Sequence, residues 1–304
     1  MRFAMRALVV VLVGGALAAC SRGDPEQAPQ LDEYLYGRRR KNVPFAPQRD
    51  PLPETALDDA RRMDAIEALI DSGRYAQAAA ELDRWSQAGG DHPRAHYLRG
   101  RAAYGRQEWQ AAIDALTRAV EASPRYIEPR LLMGQSFLKL ERLAAAEGVY
   151  QELDRLLPKG PWGPLGMGQV ARRRGDDARA TALIDEALSR DPKHAPSLGA
   201  RADLARVAGD TVREEVLLLR FLAQEPDAAG AERRLGEIAA ADRRPDDARR
   251  RFERAWELDR DPAVAHRLAE LAQLRGDLGE ADRWQRHAGT ARPKERDDEA
   301  IAPR

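Results

Sequence analysis

Apolar and small positions along the chain come in short bursts with helical spacing. In one window they are Met133, Gly134 and Phe137, then, after a polar break, Ala146, Tyr150 and Leu153. Steps of one, three and four residues place such side chains on one face of a helix, whereas a half-buried strand would alternate. The window therefore predicts two amphipathic helices joined by a turn. The run Val216 to Leu222 is apolar enough to pass for a strand, but it lies where the second helix of its own window belongs.

The window repeats. Pro124, Pro158, Pro192 and Pro226 are evenly spaced (158 − 124 = 192 − 158 = 226 − 192 = 34), and in that register Gly134 lies over Gly168 and Ala202, and Ala112 over Ala146 and Ala180. A fixed period of this size predicts a solenoid rather than a globule. Repeats start at Asp59, Pro93, Ile127, Pro161, Ala195, Ala229 and, one residue early, Pro262. The breaks inside them read Ser72-Gly73, Arg174-Gly175-Asp176, Ala208-Gly209-Asp210 and Arg275-Gly276-Asp277. Glycine there accepts positive φ after the first helix, and Asp can cap the second. The prolines end the second helix and admit the first turn of the next. Gly100, Gly134, Gly168 and Gly236 on first helices, and Ala78, Ala112, Ala146, Ala180, Ala248 and Ala281 on second helices, are expected where two backbones approach. A bulky side chain there would cost roughly 1–3 kcal/mol in overpacking.

Register and residue type together make residues 59–288 resemble the tetratricopeptide repeat (TPR) family. Its pattern is a small residue early in helix A, an aromatic one turn later, then Ala, aromatic, Ala and Pro in and after helix B. The resemblance implies an all-α fold, a right-handed α-solenoid of about seven helix-turn-helix repeats. Two repeats depart from the pattern. The fifth has Glu214 in place of the small residue and Phe221 in place of Ala; the seventh has Gln285 in place of a large apolar residue, which suits the end of a stack. Gly163, Gly166 and Gly168 beside Pro161 and Pro164 weaken helix propensity and predict a hinge in the fourth repeat.

Residues 1–20 carry Arg2 and Arg6, the apolar run Ala7 to Val13, and Leu17-Ala18-Ala19-Cys20. The run is too short to span a bilayer and predicts a signal segment. Its last four residues resemble a bacterial lipobox, which implies lipidation of Cys20, the sole cysteine of the chain, and, with Ser21 following, an outer-membrane anchor facing the periplasm. The mature chain then has neither disulfides nor a cysteine-based metal site. Residues 21–57, with Pro25, Pro29, Pro44, Pro47, Pro51 and Pro53, predict an extended tether ahead of the array at 58–288. Tyr34, Leu35 and Tyr36 beside Arg38-Arg39-Arg40-Lys41 are read as solvated linker, with a docking motif as the other reading, and 289–304 as a disordered tail.

Charge narrows the function. Fifty basic and fifty acidic residues balance, and loss of Arg2 and Arg6 leaves 48 against 50, so nucleic acid is not an expected partner. Candidate chemistry is sparse. His92 and His96 have i, i+4 spacing but straddle Pro93, without the Glu of a zinc HExxH motif; His194, His266 and His287 are scattered. Neither a nucleophile elbow nor a phosphate-cradling loop occurs, so no enzyme activity, cofactor, metal or small-molecule substrate is expected.

What remains is surface. Carrying the TPR inner-groove positions onto this chain gives Arg94, Tyr97, Arg101 and Tyr104 in repeat two; Leu131, Gln135, Leu138 and Lys139 in repeat three; and Trp162, Leu165, Gln169, Arg172 and Arg173 in repeat four. Asp203, Arg206, Arg233 and Glu237 extend it weakly. The resemblance thus implies a basic, aromatic groove for protein or peptide partners, with an acidic segment as its ligand. Met63, Glu67, Tyr97 and Arg101 stand where a chaperone-binding carboxylate clamp needs Lys and Asn, so that specialised activity is not implied. The expectation is a lipid-anchored periplasmic scaffold that helps assemble an envelope complex, such as pilus, polysaccharide-export or cell-wall machinery. A secreted adaptor and a regulator or enzyme acting on peptidoglycan are the other readings.

Overall fold

The computed structural model describes residues 57–290. The predicted signal segment, Cys20, the tether up to residue 56 and the tail from 291 lie outside the described residues. Fourteen helices make up the described chain. They form seven antiparallel pairs: α1 Leu57–Asp71 with α2 Tyr75–Gln87, α3 Pro93–Gly105 with α4 Trp109–Ala122, α5 Ile127–Lys139 with α6 Leu143–Leu156, and α7 Trp162–Arg173 with α8 Asp177–Arg190. Then come α9 Ala195–Val207 with α10 Thr211–Leu222, α11 Ala229–Ala241 with α12 Pro245–Leu258, and α13 Pro262–Leu274 with α14 Leu278–Thr290. There is no strand among the described residues, and the apolar run at Val216 is helical, within α10. The fold is an all-α solenoid.

The core is serial rather than central. One buried cluster joins Met63, Ile66, Leu82 and Leu98; another joins Ile127, Tyr150, Leu153 and Val170; a third joins Leu198, Leu218, Phe221 and Leu235. Each is drawn from adjacent repeats, so the apolar area needed for stability grows along one axis. The first helix of each of repeats one to four also touches the first helix of the following repeat, whereas no comparable contact joins second helices among the described residues. The odd-numbered helices therefore line the inner side of the curve.

The small residues have a sharper explanation than backbone approach alone. A Cβ on Gly100 would lie 2.6 Å from Leu116, on Gly134 2.5 Å from the Tyr150 ring, on Gly168 2.8 Å from Ile184 and on Gly236 2.8 Å from Phe252. The separation is the same each time: 116 − 100 = 150 − 134 = 184 − 168 = 252 − 236 = 16. One large side chain of helix B fills the notch of its own helix A. In repeat four the expected hinge is instead a packing device. A Cβ at Gly163 would meet Asp154, and one at Gly166 would lie 2.1 Å from the Tyr150 ring, so these glycines let α7 settle against α6.

Turns repeat as faithfully. Gly73, Gln107, Glu141, Gly175, Gly209, Arg243 and Gly276, one per repeat, all have φ between 54° and 80°. Asp176, Asp210 and Asp277 then cap the following helices, accepting from the backbone N–H of Arg179, Arg213 and Glu280 at 3.0, 3.1 and 2.8 Å.

Candidate functional site

On the inner face of the first four repeats, α1, α3, α5 and α7 set the predicted groove residues side by side. Arg94 and Arg101 lie two helical turns apart on α3, one over the other, and reach back to α1. Arg94 Nη2 donates to Asp64 Oδ1 at 2.6 Å and Glu67 Oε2 at 2.7 Å; Arg101 donates through Nη1 to Glu67 Oε1 and through Nη2 to Asp71 Oδ1, both at 2.6 Å. Glu67 is thus clamped between two guanidiniums. Burial alone would raise its carboxyl, but the hydrogen bonds and charges of Arg94 and Arg101 outweigh that and hold it below the usual range. The arginines are held charged above their ordinary value against the same burial.

The same arrangement continues along the stack. Arg172 pairs with Asp203, which is 2% exposed and also accepts from Arg206 at 2.7 Å. Arg173 pairs with Glu141, and Arg233 reaches Asp261 at 3.5 Å. The groove expected to be basic is therefore largely charge-balanced, because Arg94, Arg101, Arg172 and Arg173 are spent on carboxylates one repeat away. Asp64, Asp71 and Glu141 are partners that the sequence reading missed, while Glu67 and Asp203 were placed on the inner face without their ion pairs. For Glu67 and Arg101 the signal is the period itself, since 101 − 67 = 34.

The aromatics are placed less uniformly. Tyr97 is half-buried, edge-on to Tyr126 at 5.4 Å, with the Arg101 guanidinium 5.7 Å from its ring centre. Tyr104 stands edge-on to Trp109 at 5.0 Å, and the Lys139 ammonium lies 5.9 Å from that indole. Trp162 meets the His194 ring at 4.2 Å, while Gln135 and Gln169 are half-buried on the same face. Leu131, Leu138 and Leu165 do not line an open surface: at 3%, 8% and 4% exposure they belong to the core. Helix α5 has simply turned Leu131 and Leu138 towards Tyr150 and Leu153.

Three of the histidines have local structural partners. His92 caps α3, its Nδ1 accepting from Arg94 N–H at 3.1 Å, and His96 Nε2 lies 2.7 Å from Asp91, so the i, i+4 pair does not converge. His194 Nδ1 is 2.7 Å from Ser197 Oγ, and burial, only partly offset by Asp191, pulls the imidazole down to about 4. Among the described residues no three His, Cys, Asp or Glu gather as a metal site, and no helix is long and apolar enough to cross a membrane. A cavity of about 230 Å³ opens between α8, α9 and α10, lined in part by Asp177, Thr181, Arg201 and Arg213.

Paired helices stacked with one inner face define an α-solenoid of the kind that presents an extended surface to other proteins. A tetratricopeptide repeat model matches residues 63–127, and the helix pairs beyond it keep the same frame, so the array is similar in fold to tetratricopeptide-repeat proteins. Among solved structures it is similar to the APC/C hetero-tetramer Cut9–Hcn1, with a TM-score of 0.56 and 14% identity over 76% of this chain and 46% of that one, so it spans less than half of that protein. It is also similar to PilW, a widely conserved type IV pilus biogenesis factor, with a TM-score of 0.52 and 16% identity over 66% of this chain and 93% of that one. A monomeric IFIT1 mutant with a capped RNA gives a TM-score of 0.52 and 15% identity over 79% and 62%. At such identities the likeness is one of fold. No curated protein matches the chain in sequence.

Proposed function

We propose that this protein is a lipid-anchored periplasmic scaffold whose inner face, over repeats two to four, holds a segment of a partner protein during assembly of an envelope complex. The tetratricopeptide fold supports protein–protein interaction, and the observation that carries the finer reading is the inner face itself. Tyr97, Tyr104 and Trp162 are half-buried there, rigid and amphipathic, beside the amides of Gln135 and Gln169. Tyr and Trp are the types that dominate binding hot spots. Because Arg94, Arg101, Arg172 and Arg173 already pair within the chain, the fitting partner is a polar or aromatic segment. An acidic segment gains only where it displaces Glu67, Asp71, Asp203 or Glu141.

The anchor rests on Leu17-Ala18-Ala19-Cys20 and on a tether whose residues, at about 3.1 Å each if extended, allow reach on the order of 100 Å. The likeness to a pilus biogenesis factor makes pilus assembly one member of the class, at the level of fold alone. Two measurements test the reading. Photo-crosslinkers placed at Gln135 and Gln169 should capture a partner in native membranes, and the same groups on outer helices at Arg118 and Arg155 should not; capture from both faces or neither removes the groove. Cys20→Ser should move the chain from the membrane fraction to the soluble periplasm. A variant that still pellets after a salt wash removes the lipid anchor.

A further inference from the structure

One helix face of the solenoid is chemically out of place. On α10, Val212, Val216 and Leu219 are 77%, 53% and 43% exposed, and Ala223 follows them on the surface. Their steps are four, three and four residues, which is the spacing of a coiled-coil seam. The seam lies opposite the buried face of α10, made by Glu214, Leu217, Leu218, Phe221 and Leu222, so it points away from the stack. The frame shows that this is particular to repeat five. The same four positions are Ala178, Ala182, Asp185 and Ser189 in repeat four and Asp246, Arg250, Glu253 and Glu257 in repeat six. Bulky apolar residues at outward positions of one repeat, against small or charged ones on both sides, indicate a covered surface.

The charges flanking the seam choose the occupant. Arg213 and Arg220 border it on one side and Glu215 on the other. In an antiparallel pair of such helices the arginine sides would face each other. In a parallel, in-register pair, Glu215 of each helix faces Arg220 of the other, the five-residue offset by which flanking positions meet across a two-stranded seam. Neither group is used up: Glu215 engages Arg244 through Oε1 alone, and Arg220 engages the Pro192 carbonyl through Nη2 alone. We propose that α10 is a self-association helix, pairing parallel and in register with α10 of a second copy of this chain. The two-fold axis then runs along the helix pair, the small outward row of repeat four faces the charged row of repeat six of the other copy, and both inner faces stay open. The resulting scaffold is bivalent, whatever the inner face holds.

The test uses the full chain. Sedimentation equilibrium should show a reversible dimer in the micromolar range, and Val216→Arg, at an exposed position, should weaken it at least 30-fold with unchanged helicity. In a Cys20→Ser background, Val212→Cys and Ala223→Cys should each crosslink to themselves on mild oxidation, because a parallel seam sets like residues opposite. Crosslinking only when the two variants are mixed would overturn the register. A chain that stays monomeric up to about 200 µM, or a dimer indifferent to Val216→Arg, overturns the proposal. So does a monomer that sediments with phosphatidylglycerol vesicles and loses them on Val216→Arg, which would assign the stripe to a lipid surface.

Discussion

Repeats four and five solve the same packing problem in opposite ways. In repeat four, Gly168 and Ala180 make room and Ile184 fills it, and Gly163 and Gly166 bring α7 down on Tyr150 and Asp154. In repeat five the position of Ala180 is taken by Glu214, 1% exposed, and the place of Ala187 by Phe221, fully buried. Glu214 is tolerated because Arg234 of the next repeat grips it with two bonds, Nε to Oε1 at 2.7 Å and Nη2 to Oε2 at 2.9 Å, and Glu237 adds a third contact to that guanidinium at 3.0 Å. A joint between repeats can thus be closed by removing atoms or by burying a paired charge. The first leaves nothing to go wrong but space. The second depends on its partner.

That difference predicts the largest effect. Arg234→Leu strands a buried carboxylate and should destabilise the array by about 3–5 kcal/mol, while Glu214→Ala with Arg234→Leu should recover most of it. The reciprocal experiment imports the device. The place of Arg234 in the preceding repeat is Ala200 (234 − 34 = 200), so Ala180→Glu should be severe alone and relieved by Ala200→Arg. Urea denaturation of each variant measures both. Equal stability of Arg234→Leu and the double variant would mean that the pair is not the reason Glu214 is accepted.

The joint between the same two repeats holds a pH dependence next in size. His194, against Trp162, is neutral when folded because burial brings its pKa down to about 4, whereas the unfolded chain takes up a proton near pH 6.5. A lowered pKa contributes stability that is complete above about pH 6.5 and lost as pH falls towards 4, on the order of 3 kcal/mol if the whole shift is realised. His194→Phe should flatten the stability profile over that interval. Glu67 acts lower down: its depressed carboxyl adds stability above about pH 4.5 that fades on further acidification, so Arg101→Ala should reduce acid resistance at α1 first.

The packed solution should break more gently. Gly166→Ala places a Cβ 2.1 Å from the Tyr150 ring, which must then move, for about 1–3 kcal/mol. Tyr150→Leu in the same chain should return part of that loss by vacating the notch. An unchanged midpoint for Gly166→Ala would restore the hinge reading of repeat four.

How much of this was legible in the sequence follows from what a period can encode. Gly100, Gly134 and Gly168 recur at fixed intervals because each repeat meets its own second helix identically, so the solenoid could be read without coordinates. The position of Glu214 was visible as an exception, but its cause lay in Arg234, on another helix and at no characteristic spacing within the repeat. The groove was legible as positions and not as charge. Arg94 and Arg101 look like free cations until Asp64, Glu67 and Asp71 are folded against them, and Leu131 and Leu138 look like lining until α5 turns them inward. The outward row on α10 was hidden for the converse reason, since an apolar run at helical spacing is ordinarily core.

The smallest effect separates repeats by their turns. The second residue past each first helix takes positive φ, which glycine enters freely and an L side chain does not. Repeats four and five have Gly175 at φ 78° and Gly209 at φ 74°, whereas repeat two has Gln107 at φ 63°. Gln107 is exposed, and its backbone N–H donates to the Tyr104 carbonyl at 3.0 Å, so the turn is made in spite of the side chain and not through it. Gln107→Gly should therefore stabilise by about 0.5–1 kcal/mol, less what the more flexible unfolded chain takes back, and raise the melting temperature by roughly 1–3 °C. Gly175→Ala should lose a similar amount, because nothing lies within 4 Å of the added Cβ and only the backbone conformation is at stake. If Gln107→Gly melts lower, the side chain makes a contact that sets repeat two apart from its neighbours, and the equivalence of the seven turns fails there first.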